Sequence, residues 1–228
     1  MRFLFKYATR GRPQWCLNTL TTYYKMLSGK HDYLFVLTLD DEDLTMTSRV
    51  MLNRLAMFPD LAVFTGDHAN KIEAINDDVP ESGWDVLIVV SDDMIPIVQN
   101  FDDQIAQDME KYFPAFDGAL HYDDALFGHN TTITYSIMGK ALYDSIGYIY
   151  HPDYQSFYCD NEFTAVVRDM KKYQYVDKVL VEHQWIGFSK PDELHKANDA
   201  KGHQDGETYR KRMLKGYPHH SIFKGTTP

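Results

Sequence analysis

The sequence predicts a single α/β domain built on a mostly parallel central sheet flanked by helices. Three observations carry that expectation. Strand-like and helix-like segments alternate through the first hundred residues, the pattern of a parallel sheet covered by crossover helices. The run Val86-Leu-Ile-Val-Val90 is short, apolar and mostly β-branched, as in a strand buried on both faces. Directly after it stand Ser91-Asp92-Asp93, at the strand end where open α/β sheets place their ligands.

Arg2–Tyr7 reads as the first strand and ends in the loop Ala8-Thr-Arg-Gly-Arg-Pro13. Pro13 suits a first helical turn, and Trp15, Leu17, Leu20, Tyr23 and Tyr24 give Gln14–Met26 its helical spacing. Tyr33–Leu39 is a second strand, followed by Asp40-Asp41-Glu42-Asp43. Helices over Ser48–Met57 and Ala69–Ile75 bracket a short strand at Leu61–Phe64, and Val86–Val90 follows as the central strand. Beyond Asn100 the pattern loosens. Helices are expected at Ile105–Tyr112, Gly139–Ile146, Phe163–Lys172 and Tyr209–Leu214, and strands at Asp117–Tyr122, Thr131–Met138 and Lys178–Glu182. No repeat or linker divides the chain. It reads as an N-terminal nucleotide half (1–100), a half of more irregular elements (101–188) and a polar tail (189–228).

The 228 residues, 44% of them hydrophobic, suffice for one large core. No apolar stretch reaches membrane-spanning length, and Phe3-Leu4-Phe5 is too short for a signal peptide, so a cytoplasmic protein is expected. Cys16 and Cys159 have no metal-ligand spacing and read as buried thiols. A net charge of −10 argues against a general nucleic-acid binder. The charge is uneven: from Ser189 onward eight basic residues face five acidic ones, leaving −13 on the preceding body. Such a basic tail can meet a phosphate or form a solvated face.

Polar clusters follow four strands: Thr9/Arg10, Asp40/Asp41, Asp92/Asp93 and Glu182/His183. Ends of parallel strands converge on one sheet edge, so these clusters can share a site. Hard oxygen donors there suit Mg²⁺ or Mn²⁺, which in turn can clamp a diphosphate. Each group also has a structural reading. An Asp pair after a strand commonly makes a turn or a helix cap. Lys71 fits a surface helix, His183 a half-buried strand end, and Asp160 and Glu162 the first turn of a helix, where they favour its dipole. His121, His129 and His151 read as structural, and Tyr158 and Trp185 as packing rather than sugar platforms.

In order and spacing, these motifs resemble the GT-A nucleotide-sugar glycosyltransferases, close to glycosyltransferase family 2. Phe3-Leu-Phe-Lys-Tyr-Ala-Thr-Arg-Gly-Arg-Pro13 is similar to the family's opening strand and loop, and Asp40 falls where the family places a base-contacting Asp. Asn70-Lys-Ile-Glu-Ala-Ile-Asn76 resembles the segment that runs along the nucleotide. Ser91-Asp92-Asp93 stands in place of Asp-x-Asp, Cys159-Asp160-Asn161-Glu162 in place of the motif that supplies the base, and His183 in place of a late metal-ligand histidine. Tyr209-Arg-Lys-Arg212 is similar to a basic segment near the end of related chains. Two departures stand out. Ser91 replaces the first Asp, which puts metal binding on Asp93 and leaves Asp92 to hold the ribose, or the metal through a water. The acidic motif reads Asp-Asn-Glu, so Asp160 and Glu162 are both eligible as base.

The resemblance implies a Rossmann-like GT-A domain moving a sugar from a nucleoside-diphosphate sugar, UDP favoured, to a hydroxyl acceptor with inversion. Asp93 and His183 would hold Mn²⁺ or Mg²⁺, with imidazole tilting the choice to Mn²⁺. Thr9 and Asp40 would contact base and ribose and Lys71 or Arg10 the phosphates, with Asp92 and Arg212 as further nucleotide-sugar contacts, Arg212 standing in a charge run that otherwise reads as a solvated face. The acceptor is expected to be a saccharide, with a modified DNA base the minority reading. Two alternatives stay open. A nucleotidyltransferase would normally carry a glycine-rich loop after its first strand, where Thr9-Arg10-Gly11-Arg12-Pro13 has one glycine. A non-catalytic nucleotide-sugar or carbohydrate-binding protein would have little use for Asp93, Asp160 and His183 together.

Overall fold

A computed structural model describes residues 1–126, 132–184 and 201–218. Strands β1 (Arg2–Ala8), β2 (Asp32–Asp40), β3 (Leu61–Gly66) and β4 (Val86–Val90) are joined by helices α1 (Pro13–Met26), α2 (Arg49–Leu55) and α3 (Lys71–Asn76). They pair in parallel in the order β3-β2-β1-β4. Chain order reverses about β1, which pairs with both β2 and β4, and that reversal opens a crevice at their C-terminal ends. The sheet continues through β7 (Ile137–Gly139), antiparallel to both neighbours, then β6 (Ala119–Asp123) and β8 (Tyr173–Val179). Two reversals restore β6 to the direction of β4. Its C-terminal end therefore reaches the same edge as the crevice.

Period-two alternation builds the two layers. Phe3, Phe5 and Tyr7 of β1 and Val86 and Ile88 of β4 face one cluster, with Leu17, Leu20 and Tyr23 of α1 and Phe101, Ile105 and Met109 of α4 (Phe101–Tyr112). Leu4, Val36 and Leu87 face the other, against Ile72 of α3, Leu142 of α5 (Lys140–Ile146) and Phe163 and Val167 of α6 (Cys159–Asp169). Both cysteines are buried and free. Outside the main sheet a short ribbon pairs β5 (Met94–Pro96) with β9 (Val181–His183), and α7 (Gly202–Leu214) packs on α6.

Up to β4 the chain follows the sequence expectation element by element, whereas the short β5 after it was not expected. The second half departs from it where apolar periodicity fades. The strand expected over Thr131–Met138 forms only at Ile137–Gly139, and α4, α6 and α7 start several residues before their predicted first residues. The strand expected over Lys178–Glu182 straddles the boundary between β8 and β9. As an edge strand, Tyr173–Val179 is mostly half-exposed and lacks the apolar run that marks a central strand.

Lys6 is one charge the core accepts. It lies on the Leu4 face of β1 with no solvent exposure, donates to the Thr38 hydroxyl, and Thr38 donates to Asp78 at 2.7 Å. Burial pulls the ammonium down from its ordinary 10.5 to about 8, against the opposing pull of Asp78 and Asp77. A depressed lysine opposes folding below its folded value, here by about 3 kcal/mol at neutral pH, and the penalty fades as pH rises from 8 to 10.5. Lys6→Met is therefore expected to raise the urea midpoint at pH 7, by a margin that shrinks toward pH 10. A variant less stable than wild type at pH 7 would show that the Lys6–Thr38–Asp78 chain outweighs desolvation.

Candidate active site

The crevice between the ends of β1 and β4 is fastened by Asp92. Its carboxylate takes bonds from the Tyr7 hydroxyl and from Thr9 Oγ1 at 2.9 and 3.0 Å, with the Arg12 guanidinium 3.6 Å away. Thr19 Oγ1 donates to its carbonyl at 3.0 Å. Burial pushes the carboxyl above its ordinary range, although the Tyr7 and Thr9 bonds and Arg12 oppose the rise. Asp92 and Thr9, both buried, thus spend their polar atoms locking the β1 loop to β4. That placement differs from the ribose and base contacts expected of them.

Asp93 turns the other way. Ser91 Oγ donates to its Oδ1 at 2.6 Å, so the serine in the first place of the motif orients the remaining carboxylate. The β5–β9 ribbon sets Met94 opposite His183, and the Gln184 amide donates to the Asp93 carbonyl at 2.7 Å. His183 Nε2 then lies 3.5 Å from Asp93 Oδ2, and Nδ1 lies 3.4 Å from Asp124 Oδ2. Asp124, just past β6, is further held by Thr134 Oγ1 at 2.7 Å and the Leu126 amide at 3.1 Å. Burial opposes charge on this imidazole, but the flanking carboxylates prevail and raise it to about 9. Burial would raise both carboxyls too. The bonds from His183, with Ser91 on one side and Thr134 on the other, bring Asp124 to about 2 and Asp93 well below the ordinary range.

Asp160 stands in the first turn of α6, where the Asn161 amide donates to its Oδ1 at 2.9 Å. Burial raises this carboxyl above its ordinary value despite opposing charge from Lys71 and His183. Lys71 opens α3, is exposed, and also favours the anionic form of Asp93. Asn70 caps that helix with bonds to the Ile72 and Glu73 amides at 2.9 and 3.0 Å. Asp93, His183, Asp160 and Lys71 therefore share one electrostatic neighbourhood, although they come from four separate stretches of chain.

A second group lies at the ends of β2 and β3. Asp40 receives Arg10 Nη1 at 3.0 Å and faces the buried His68 Nδ1 at 2.9 Å. The other ring nitrogen of His68 is 3.4 Å from Asp77. Arg10 and Asp40 are thus adjacent, and His68 positions the carboxylate from behind. Sequence reading passed over both His68 and Asp124. For Asp124 a signal existed, an Asp-Asp pair after a predicted strand.

Two other expected site residues are taken up elsewhere. Glu162, 2% exposed, accepts from Arg212 Nε at 2.8 Å, from Arg212 Nη2 at 2.7 Å and from the Tyr154 hydroxyl at 2.7 Å. Arg212 also reaches Asp153 at 3.3 Å and the Pro218 carbonyl at 3.1 Å. The expectation of Glu162 as a free base and of Arg212 as a phosphate contact thereby gives way to a buried ion pair between them. His129, Trp185 and much of the basic tail lie outside the described residues.

As donors, one carboxylate and one imidazole fit Mn²⁺ or Mg²⁺ in chemistry, the imidazole once a metal displaces the proton that Asp93 and Asp124 hold on it. Among the described residues no three His, Cys, Asp or Glu side chains form a ready metal site. The chain itself would supply Asp93 and His183, leaving other positions to phosphate oxygens and water.

No protein-family model matches the chain, and neither does any curated protein. Solved structures do. Mannosyltransferase PcManGT from Pyrobaculum calidifontis, in complex with GDP-Man and Mn²⁺, superposes with a TM-score of 0.68 at 12% identity, over 100% of this chain and 65% of its own. S. aureus TarS 1-349 superposes with a TM-score of 0.62 at 12% identity, over 82% of this chain and 61% of its own. Its complex with UDP-GlcNAc gives 0.64 at 12% identity, over 86% and 61% of the two chains. The chain spans about three fifths of the length of the structures it matches. Its fold is that of the GT-A glycosyltransferases, as the sequence motifs implied. Among the described residues no helix is long and apolar enough to cross a membrane.

Proposed function

We propose that the chain transfers a glycosyl group from a nucleoside-diphosphate sugar to an acceptor hydroxyl with inversion. The observation that carries the reading is the Asp93–His183 pair just past β4, with the charge of Lys71 felt by both Asp93 and Asp160 and that of His183 by Asp160. Asp160 takes the hydroxyl proton as the acceptor oxygen attacks the anomeric carbon. The bond from that carbon to the diphosphate oxygen breaks, and a single displacement of this kind inverts the centre. Its partial burial and raised carboxyl suit a base that must release its proton again. Lys71 and Arg10 supply positive charge for the diphosphate, and Asp40 contacts the base. A divalent cation on Asp93 and His183 would neutralise charge on the leaving group. UDP is the favoured nucleotide and Mn²⁺ the favoured ion. Similarity to the TarS complex with UDP-GlcNAc and the PcManGT complex with GDP-Man and Mn²⁺ supports this assignment.

Thermal-shift titration of UDP and GDP with Mn²⁺ or with EDTA tests it. Nucleotide with Mn²⁺ is expected to raise Tm, equivalent to about 2.7 kcal/mol at a hundredfold excess over Kd. Asp93→Ala should lose that metal-dependent gain while melting cooperatively. An unchanged gain in the variant removes Asp93 from the metal site.

A further inference from the structure

We propose that Tyr158, backed by Tyr209 and Gly206, is a platform on which the ring of a saccharide acceptor stacks beside Asp160. This rests on the glycosyltransferase reading and adds to it a residue that selects the acceptor. Tyr158 keeps 40% of its surface exposed, so its ring is not buried as ordinary core packing. Its backbone is left-handed, φ 63° and ψ −4°, a conformation a ringed residue adopts only when its surroundings enforce it.

The enforcing contacts come from α7. Asp205, fully buried, accepts the backbone amides of Gln155 at 3.0 Å and of Ser156 and Phe157 at 2.8 Å each. On the other side of Tyr158, Arg212 holds Glu162. The chain is thus fastened to α7 just before the tyrosine, at 155–157, and one helical turn after it, at Glu162. Its ring stacks on Tyr209 with centroids 5.5 Å apart and planes at 23°. A Cβ at Gly206 would lie 3.4 Å from Tyr158 Cε2, so the ring rests close over that glycine. Gly206 and Tyr209 are three apart and share one side of the helix. One face of the ring therefore lies against α7, and its exposed surface is elsewhere.

Two peptide links separate Tyr158 from Asp160, so their Cα atoms lie within about 7.6 Å. A tyrosine two positions before the base can offer its ring to the C–H face of a sugar, whose rim hydroxyls would then be the groups presented to that base. A nucleobase also stacks on tyrosine, but a chain of net charge −10 is poorly suited to a polyanion.

Saturation-transfer NMR with methyl β-D-glucoside, methyl α-D-mannoside and methyl N-acetyl-β-D-glucosaminide, in the presence of UDP and Mn²⁺, tests the platform. At least one glycoside should show ring-proton saturation with wild type and with Tyr158→Phe. Tyr158→Asn keeps a residue that tolerates the left-handed backbone but removes the ring, and should bind the glycoside about tenfold more weakly, the scale of one aromatic contact. Equal binding by Tyr158→Asn overturns the proposal, as does the absence of glycoside binding by wild type. Tyr158-dependent binding of 5-hydroxymethyl-2′-deoxycytidine in place of the glycosides overturns the saccharide assignment. UDP binding is read in the same samples. Its failure would count against the donor reading, whereas the Tyr158→Asn contrast judges the platform alone.

Discussion

Asp160→Asn is expected to lower glycosyl transfer by about 10²–10⁴-fold while leaving nucleotide affinity within twofold of wild type. The substitution keeps the shape of the side chain and the helix start but removes its capacity to take a proton. Nucleoside diphosphate release across a panel of hydroxyl acceptors, set beside calorimetric titration of the nucleotide, separates the two effects. Glu162→Gln should behave differently. Its carboxylate is committed to Arg212 and Tyr154, so the loss should appear first in stability. Full activity in Asp160→Asn with an inactive but stably folded Glu162→Gln would exchange their roles.

Arg212→Met is expected to lower unfolding stability by about 3–5 kcal/mol, because it leaves the Glu162 carboxylate buried without its cation. Removing both charges should recover much of that loss. The double variant Glu162→Gln/Arg212→Met should therefore be more stable than Arg212→Met alone. Urea midpoints at constant slope report the difference. The expected loss also bears on function, because α7 fastens the loop that leads into Asp160. If Arg212→Met left the midpoint unchanged, the pair would not be closed in solution, and Arg212 would again be available for a donor phosphate.

The first half of the fold was legible because local pattern and burial agree there. β1 and β4 alternate their side chains between two cores, and α1 carries its apolar residues on one side. Asp93 and Asp160 were legible for a related reason, since each follows a recognisable strand or opens a recognisable helix. The ribbon β5–β9 was not. Three-residue strands carry too few side chains to show a period, and they form here because residues nearly ninety positions apart pair with each other.

The sequence by itself determined the α/β class and the strand ends that bear carboxylates, and with the family resemblance it put forward Asp93, Asp160, Lys71 and His183 among its candidates. Tertiary structure decided how those groups divide their work. It turned Asp92 inward to hold Thr9 and Tyr7, and set Asp124 against His183 through two strand reversals. It also joined Glu162 to Arg212, fifty residues apart, in a buried pair. The physical reason is common to all three. A carboxylate's role follows from which charges and donors share its low-dielectric surroundings, and those partners are neighbours in space rather than in sequence.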